Sequence, residues 1–497
     1  MTTQNSDEGD YPYSVRPAPA NVVRPRIPLR HRIPWKFLGS VVRRLAIALA
    51  AMLPVGLVAF AIVAVRARSQ AKIVNQLVER KCVVFYYHER DDAVDRVPGF
   101  LRKLLGDDFW NDIDFVGSRS ETVEDAASVA ALCGKLPKLI GFRIGNPHFS
   151  FELITKWPHL DSLEELGIHS PLVKDADLAR IARIRDLKVL YLNSPNVSDI
   201  GLSQISSLSQ LETLDINSLR FTNTAPRNTA GFPHLNELQI GDSTDLTDGD
   251  IINLGPMPKL QKVVIRDAQI GDATLVHLAA GAKLREVELN PCKVTDNGFA
   301  SLEKCVDLNH LELVGAPISD DALKALIGKS LFSVTLNHSR ITDQGFIALS
   351  RIRDLRILEL TDSEVTGATA TSFRGHTKDG DADVYEVYEP LDFLILSGSP
   401  ITPEGFGALS HTEFLRRAYS ERTSLNLSRT PMADGDLMGF VTNEDIGHLD
   451  ITKTKVTAGG VKKFREARQR WLDKKGLEEK MSVVSDVESD ESAADQP

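Results

Sequence analysis

A short phrase of apolar residues recurs along most of this 497-residue sequence and constrains its fold more than any other feature. The phrase is an apolar residue, two variable residues, an apolar residue, one variable residue and a third apolar residue. Its 13 copies start at Leu139, Leu163, Leu187, Leu211, Leu235, Leu260, Leu284, Leu308, Leu331, Leu355, Leu391, Arg422 and Ile446. The intervals between starts are 23–25 residues, apart from one of 36 and one of 31. A unit of this size cannot bury its apolar face alone, so the period predicts a solenoid of stacked repeats.

Each repeat is predicted to combine a strand with a helix. In the copy that starts at Leu284, Val287 and Leu289 alternate as the inward-facing residues of a strand. Cys292 is the small, buried residue at the bend that follows, and the return segment begins at Thr295-Asp296. We therefore predict a curved α/β horseshoe of about 13 repeats of 24 residues, with strands on its concave side and helices on its convex side.

A hydroxyl residue followed by aspartate marks the start of the return segment. The pair recurs at Ser198-Asp199, Thr247-Asp248, Thr295-Asp296, Ser319-Asp320 and Thr342-Asp343. The hydroxyl can accept a backbone N–H at a helix start, and the carboxylate suits the positive end of the helix dipole. Thr402-Pro403-Glu404 adds a proline at the first helical position, where the missing donor costs nothing.

These units resemble the ribonuclease-inhibitor-like class of leucine-rich repeats. The resemblance is carried by Thr-Asp-x-Gly-Phe at 295–299 and 342–346 and by Ser-Asp-Ile-Gly-Leu at 198–202, and it covers about 320 residues. Upstream, the Leu-Arg-Lys-Leu-Leu-Gly-Asp-Asp-Phe segment at 101–109 resembles the segment that precedes such repeats in membrane-anchored leucine-rich-repeat proteins of planctomycete bacteria. The resemblance implies the fold and supplies no catalytic residues.

An uncharged apolar run from Leu45 to Val65 is the second strong feature. Its 21 residues would span ~30 Å as a helix, the thickness of a bilayer hydrocarbon core. We predict an uncleaved transmembrane signal anchor; a cleaved signal peptide and a buried soluble helix are the alternatives. Lys and Arg number six in the twenty residues before the run and five in the twenty after it. Arg16 and Arg24 add to the positive charge before the run and so favour a cytoplasmic N-terminus. We therefore predict a single-pass cell-membrane protein with its repeat domain on the non-cytoplasmic side.

The composition divides the chain into six segments. Residues 1–40 form a disordered Pro/Arg-rich tail, 41–66 the transmembrane helix, and 67–135 a juxtamembrane and N-terminal cap region that contains a strand at 83–87 and a short helix within 100–110. Residues 136–460 are the leucine-rich-repeat domain. Residues 461–475 form a basic amphipathic helix that either caps the repeats or lies on a membrane, and 476–497 an acidic disordered tail.

Acidic residues occupy the outward positions of the predicted concave strands. They are Asp215, Glu237, Glu286, Glu288, Glu312 and Glu359, and Lys262, Arg266 and His310 interrupt them. This stripe predicts a protein or peptide ligand that presents basic groups. The alternative is a solvated sheet face that binds nothing.

The same face turns apolar further along, at Ile357, Phe393 and Ile395. The change coincides with the 36-residue repeat, whose extra residues fall around 373–390 and include Tyr385 and Tyr388. Aromatic anchors beside an exposed apolar strand favour a protein interface, although an insertion that packs on its own repeat is the alternative. The alternating aspartates at 379–383 do not complete a calcium loop, because Val384 and Pro390 replace the required Gly and Glu.

The sequence contains none of the common catalytic motifs, H-E-x-x-H, G-x-S-x-G, a P-loop or a dinucleotide-binding glycine pattern. The net charge of -10 argues against nucleic acid as the main partner. We predict no enzyme activity, cofactor or metal, and a membrane-anchored protein–protein interaction module. The alternatives are a cytoplasmic-facing membrane scaffold and a hydrolase or enzyme accessory built on the cap region, where His88, Glu89, Asp91 and Asp92 cluster.

Overall fold

The computed structural model describes residues 35–86, 105–106, 112–222, 231–268, 270–281, 283–372, 391–411 and 423–488. The chain divides into two compact units, Met1–Ala67 and Arg68–Pro497. The strand at 83–87 is present as Val83–Tyr86. The predicted helix within 100–110 lies outside the described residues except for residues 105–106, and the 373–390 insertion lies wholly outside them.

The first unit contains most of a long helix, α1 (Trp35–Glu79). Its apolar side chains that the structure describes, from Val55 to Val65, are exposed. Within the described residues, no helix combines the length and apolar character that a membrane crossing requires. The structure does not describe the side chains of residues 45–54, so the transmembrane anchor predicted over Leu45–Val65 stays a prediction.

The second unit is built on one 16-stranded sheet in which the strands follow one another in chain order. The strands are β1 (Val83–Tyr86), β2 (Ile113–Arg119), β3 (Gly141–Gly145), β4 (Glu165–His169), β5 (Val189–Asn193), β6 (Thr213–Asn217), β7 (Glu237–Gly241), β8 (Lys262–Arg266), β9 (Glu286–Asn290), β10 (His310–Leu313), β11 (Ser333–Thr335), β12 (Ile357–Glu359), β13 (Phe393–Ile395), β14 (Thr423–Asn426), β15 (Ile446–Asp450) and β16 (Ser482–Val484). β1 pairs antiparallel with β2, and every later pair is parallel. Strands β3 to β15 each carry one copy of the apolar phrase, so the leucine-rich-repeat solenoid is confirmed as the fold.

Helices return the chain between the strands. The α-helices after α1 are α2 (Val123–Cys133), α3 (Asp175–Ile181), α4 (Asp199–Gln204), α5 (Asp248–Asn253), α6 (Asp272–Ala279), α7 (Asp296–Phe299), α8 (Asp343–Leu349), α9 (Pro403–Ser410), α10 (Asp434–Leu437) and α11 (Ala458–Lys475). Short 3-10 helices lie at Phe151–Leu153, Leu160–Ser162, Ile205–Ser207, Ala300–Lys304, Asp320–Leu326, Ala370–Ser372, Met438–Thr442 and Asp486–Glu488. The core between strands and helices is continuous, because the strands of the repeats, β3 to β15, bury their inward-facing residues, as β9 does with Val287 and Leu289.

The aspartate of the Ser/Thr-Asp pair joins one repeat to the next. Asp296 accepts the backbone N–H of Ser319 at 2.9 Å and its hydroxyl at 2.6 Å. Equivalent double contacts join Asp175 to Ser198, Asp199 to Thr222, Asp272 to Thr295, Asp320 to Thr342, Asp343 to Thr366 and Asp434 to Thr457. We call this set the inter-repeat aspartate ladder. The carboxylate therefore does more than balance the dipole of its own helix, which was the role that the sequence suggested.

The ladder also explains the glycine of the Thr-Asp-x-Gly motif. A Cβ on Gly345 would overlap Oδ1 of Asp320 and lie 2.9 Å from Cγ2 of Ile341. Added Cβ atoms would collide in the same way with the ladder aspartates at Gly201, Gly298 and Gly460. The motif glycine is thus required by the carboxylate of the preceding repeat and not by a left-handed backbone.

Both ends of the sheet extend beyond the predicted repeats. β2 precedes the first phrase and escaped prediction because Ser118 stands where the phrase requires an apolar residue. At the other end, the prediction of a disordered tail over 476–497 is wrong for its first part, since β16 pairs with β15 and Met481 is buried. A short apolar stretch within a polar tail is enough to close the last repeat.

A buried arginine ties this C-terminal end together. Arg468 of α11 is 2% exposed and donates to both carboxylate oxygens of Glu479, at 3.0 and 2.9 Å. Its Nη1 donates to the carbonyls of Phe440, Val441 and Asn443 at 3.4, 3.0 and 2.9 Å. Phe440 and Val441 lie at the end of the 3-10 helix Met438–Thr442 and Asn443 follows it, so Arg468 binds the carbonyls of this helix end.

Candidate functional site

The parallel register aligns equivalent side chains of successive repeats across one face of the sheet. Glu237, Lys262, Glu286 and His310 lie opposite one another in one row. Gln239, Val264, Glu288 and Glu312 form the next row. Neighbouring strands are ~4.8 Å apart, so residues of one row are in reach of each other. The residues of β2 to β15 that alternate with the inward-facing core residues form one surface, which we call the exposed sheet face.

Three of the predicted acidic residues are neutralised by cations on the same face. Nζ of Lys262 lies 2.9 Å from Glu286 and 3.9 Å from Glu237, and Arg266 donates to Glu288 at 2.8 Å. The hydrogen bond from Lys262 to Glu286, together with the nearby negative charge, raises the pKa of Lys262. This part of the predicted stripe, on β7 to β9, is therefore a mixed charge network.

Two other acidic residues are held by neutral donors. Glu312 accepts the side-chain amide of Asn290 at 3.2 Å, and Glu359 accepts that of Asn337 at 2.7 Å. Neither carboxylate has a salt bridge among the described residues. The amides orient the carboxylates without cancelling their charge, so the negative charge of the exposed sheet face is concentrated on β10 and β12.

Asp215 lies apart from these residues, on β6. It accepts the side-chain amide of Asn217 at 2.5 Å. Burial raises the pKa of its carboxyl, in opposition to that hydrogen bond. Of the six predicted acids, Asp215 is thus the one that the fold separates from the acidic end of the stripe.

The predicted apolar patch is assembled by the register of β12 and β13. Ile357 pairs with Phe393, and Glu359 pairs with Ile395. Phe393 is 46% exposed. The structure therefore places an exposed aromatic ring on the strand adjacent to that of Glu359, which belongs to the acidic end of the stripe, and pairs Glu359 itself with Ile395. Tyr385 and Tyr388 lie outside the described residues.

The N-terminal end of the exposed sheet face carries a cluster that the sequence did not reveal. Glycines alternate there with long side chains: Phe115, Gly117 and Arg119 on β2, Gly141, Arg143 and Gly145 on β3, and Glu165, Gly167 and His169 on β4. We call these nine residues the glycine checkerboard. Each glycine leaves room for a neighbouring side chain to lie across the sheet, since a Cβ on Gly167 would be 2.8 Å from Cγ of Arg143.

Arg143 is the centre of this cluster. It forms an ion pair with Glu165, and its guanidinium lies 3.9 Å from the ring centroid of Tyr191 and 5.7 Å from that of Phe115. Burial raises the pKa of Tyr191, which keeps its hydroxyl protonated. Such a cation–aromatic stack is a rigid contact surface. A glycine at alternate outward positions of two successive strands was the signal that could have identified it.

Two cavities open on either side of Arg143. The larger, of about 990 Å³, is lined by Arg119, Arg143, Gly145, His169, Tyr191 and Asn193 among others. The smaller, of about 600 Å³, lies over Phe85, Phe115 and Glu165. The exposed sheet face thus has a polar, aromatic end on β2 to β5 and an acidic and apolar end on β10 to β13.

The buried cysteines among the described residues have raised thiol pKa values. Burial raises the pKa of the Cys133 thiol and raises that of Cys292 to about 11. Cys292 is thus a small buried residue, as its repeat position predicts. No group of three or more His, Cys, Asp or Glu that could hold a metal occurs in the part of the chain that the structure describes. The His88 to Asp92 cluster and the aspartates at 379–383 lie outside it.

Comparison with known proteins gives similarity to solved leucine-rich-repeat structures. An internalin from Listeria monocytogenes is 14% identical with a TM-score of 0.43, over 75% of this chain and 86% of that chain. A leucine-rich-repeat protein from Leptospira interrogans is 14% identical with a TM-score of 0.42, over 74% of this chain and 100% of that chain. A TDR receptor is 14% identical with a TM-score of 0.38, over 68% and 67%. No family model and no curated protein matches the sequence.

Proposed function

We propose that this protein binds another protein or a peptide through the exposed sheet face, and that the bound segment presents Lys or Arg to β10 and β12. The observation that carries the proposal is the pair of carboxylates, Glu312 and Glu359, which are oriented by amides and are not neutralised by a cation among the described residues. Phe393, with an exposed ring, lies on β13, the strand that pairs with the strand of Glu359. Aromatic residues are enriched in protein interfaces, and charge complementarity steers the partner.

Charge reversal on the face tests the proposal. We expect the full chain to bind a fluorescent oligolysine peptide at low ionic strength, and the Glu312→Lys/Glu359→Lys variant to bind it roughly tenfold more weakly. Two attractive contacts then become repulsive. Fluorescence anisotropy titrations at increasing salt measure the effect, which should fade as the charges are screened.

The matched control is Glu303→Lys/Glu466→Lys. Both residues are exposed and lie on helical segments, Ala300–Lys304 and α11, so this variant changes the net charge equally without altering the sheet face. It should bind the peptide as the unmodified chain does. Equal losses in the two variants would mean that binding follows net charge alone, and the proposal would fail.

We further propose that α1 anchors the protein in the cell membrane through Leu45–Val65, with the repeats on the non-cytoplasmic side. Support comes from the exposed apolar side chains of Val55, Leu57, Phe60, Ile62 and Val65 on one continuous helix. We expect protease added to intact cells to remove the C-terminal tail of the membrane-bound protein. Protection until the cells are permeabilised would instead favour the cytoplasmic-facing scaffold.

A further inference from the structure

Arg119 and His169 form an unoccupied pair of donors within the glycine checkerboard. They lie on β2 and β4, on either side of Gly145 of β3. Both side chains are exposed, and neither makes a hydrogen bond or an ion pair to the residues that the structure describes. Both line the cavity of about 990 Å³. The other arginine of the cluster, Arg143, is already paired with Glu165.

Gly145 makes the space between these two side chains accessible. An added Cβ there would lie 3.5 Å from Cγ of Arg119 and 4.0 Å from Cβ of His169, so the stems of both side chains border the position directly. The backbones of β2 and β4 are two strand spacings, ~10 Å, apart. A carboxylate spans roughly 8 Å between donors on its two sides, a separation that the long arginine side chain reaches by leaning over Gly145. A carboxylate is the group for which an arginine fork offers paired donors.

We propose that this end of the exposed sheet face binds an acidic peptide segment, with a carboxylate between Arg119 and His169 and an aromatic side chain on the Arg143–Tyr191 stack. Gly145 and Arg143 are two residues apart on β3, which is ~7 Å along the strand. Alternate side chains on the same side of an extended peptide have the same spacing. The matching ligand therefore has an acidic and an aromatic residue separated by one residue.

This inference rests on the proposed function, because it adds a second subsite to the same binding face. The two subsites differ in chemistry and position: acidic groups of the ligand go to β2–β4, and basic groups go to β10–β12. A single partner that filled both subsites would bind in one orientation only, because in the reverse orientation its charged groups would meet like charges on the protein. The charge order of the ligand would then set its orientation on the protein.

The probes are the blocked pentapeptides acetyl-Gly-Asp-Gly-Tyr-Gly-amide and acetyl-Gly-Tyr-Gly-Asp-Gly-amide, titrated calorimetrically into the full chain at low ionic strength. We expect one of the two orders to bind. Arg119→Ser should weaken that peptide about tenfold, and replacing its Asp by Asn should have a similar effect on the unmodified protein. In the Arg119→Ser background the Asn replacement should have little further effect, because its partner is already absent.

Arg351→Ser is the matched control, since Arg351 is an exposed arginine that follows α8. It should leave the affinity unchanged, and so should Glu312→Lys/Glu359→Lys, which separates a failure of this subsite from a failure of the acidic one. Binding of neither peptide would overturn the inference, as would equal affinities of the Asp and Asn peptides. Binding of inorganic phosphate that depends on Arg119, without binding of either peptide, would reduce the site to a simple anion site and would also overturn it.

Discussion

Replacement of Arg468 by leucine is expected to lower the free energy of unfolding by about 3 kcal/mol. The substitution removes the buried donor from the carbonyls of Phe440, Val441 and Asn443 and removes the cation that is paired with the carboxylate of Glu479. Chemical denaturation of the full chain, followed by circular dichroism, measures the loss. Because a solenoid is stabilised by nearest-neighbour contacts, the last repeats should unfold before the rest.

Arg470→Leu provides the control on the same helix. Arg470 lies two residues further along α11 and is exposed. Its replacement should change the stability by less than about 0.5 kcal/mol. Similar losses in the two variants would show that the helix needs positive charge in general and not the buried hydrogen bonds of Arg468.

Gly345→Ala should destabilise the protein by about 3 kcal/mol, although alanine is the better helix former. The new methyl group would collide with the carboxylate of Asp320, and that carboxylate is fixed by the N–H and hydroxyl of Thr342 at 2.9 and 2.6 Å. Gly407→Ala is the matched control, because Gly407 lies within α9 and an added Cβ would meet no atom within 4 Å. That control should be neutral or stabilising by up to about 1 kcal/mol. Thermal and chemical denaturation give both values.

A double-mutant cycle identifies the cause. In an Asp320→Ala background the ladder contact and the collision with the carboxylate are both lost, and Cγ2 of Ile341 remains as the close neighbour of an added Cβ at residue 345. Gly345→Ala should then cost much less than it does in the unmodified chain. Additive losses would mean that the glycine is needed for a reason other than the ladder aspartate, and the explanation of the motif given above would be wrong.

The period of the apolar phrase was sufficient to predict the fold, because strand and core positions follow directly from it. The link made by Asp296 could not be predicted in the same way, since the residue that it binds, Ser319, lies in the next repeat and the pairing depends on how repeats stack. β2 was missed because one polar residue, Ser118, interrupts its apolar phrase, and β16 was missed because it is a short stretch flanked by polar residues. Each of these strands forms because a neighbouring strand pairs with it.

The candidate site was predicted in composition more than in arrangement. Outward positions can be read from the strand alternation, so the acids of β7 to β12 were found. Which of them meet a cation depends on side-chain direction, and Glu288 proved to be paired with Arg266 whereas Glu312 is bound by an amide. The glycine checkerboard was missed because glycines carry no side chain that marks a site. Their role is to leave space across the sheet for the side chains of neighbouring strands.

The antiparallel pairing of β1 has a consequence for self-association. A repeat sheet with two open ends could add a second molecule head to tail and continue as a filament, because such contacts do not close. Here β1 runs against β2, while β16 at the other end runs with β15. A second copy joined through these ends could not continue the parallel ladder, and the two edge strands offer only four and three residues for pairing. In the part of the sheet that the structure describes, short edges of mismatched direction therefore disfavour polymerisation.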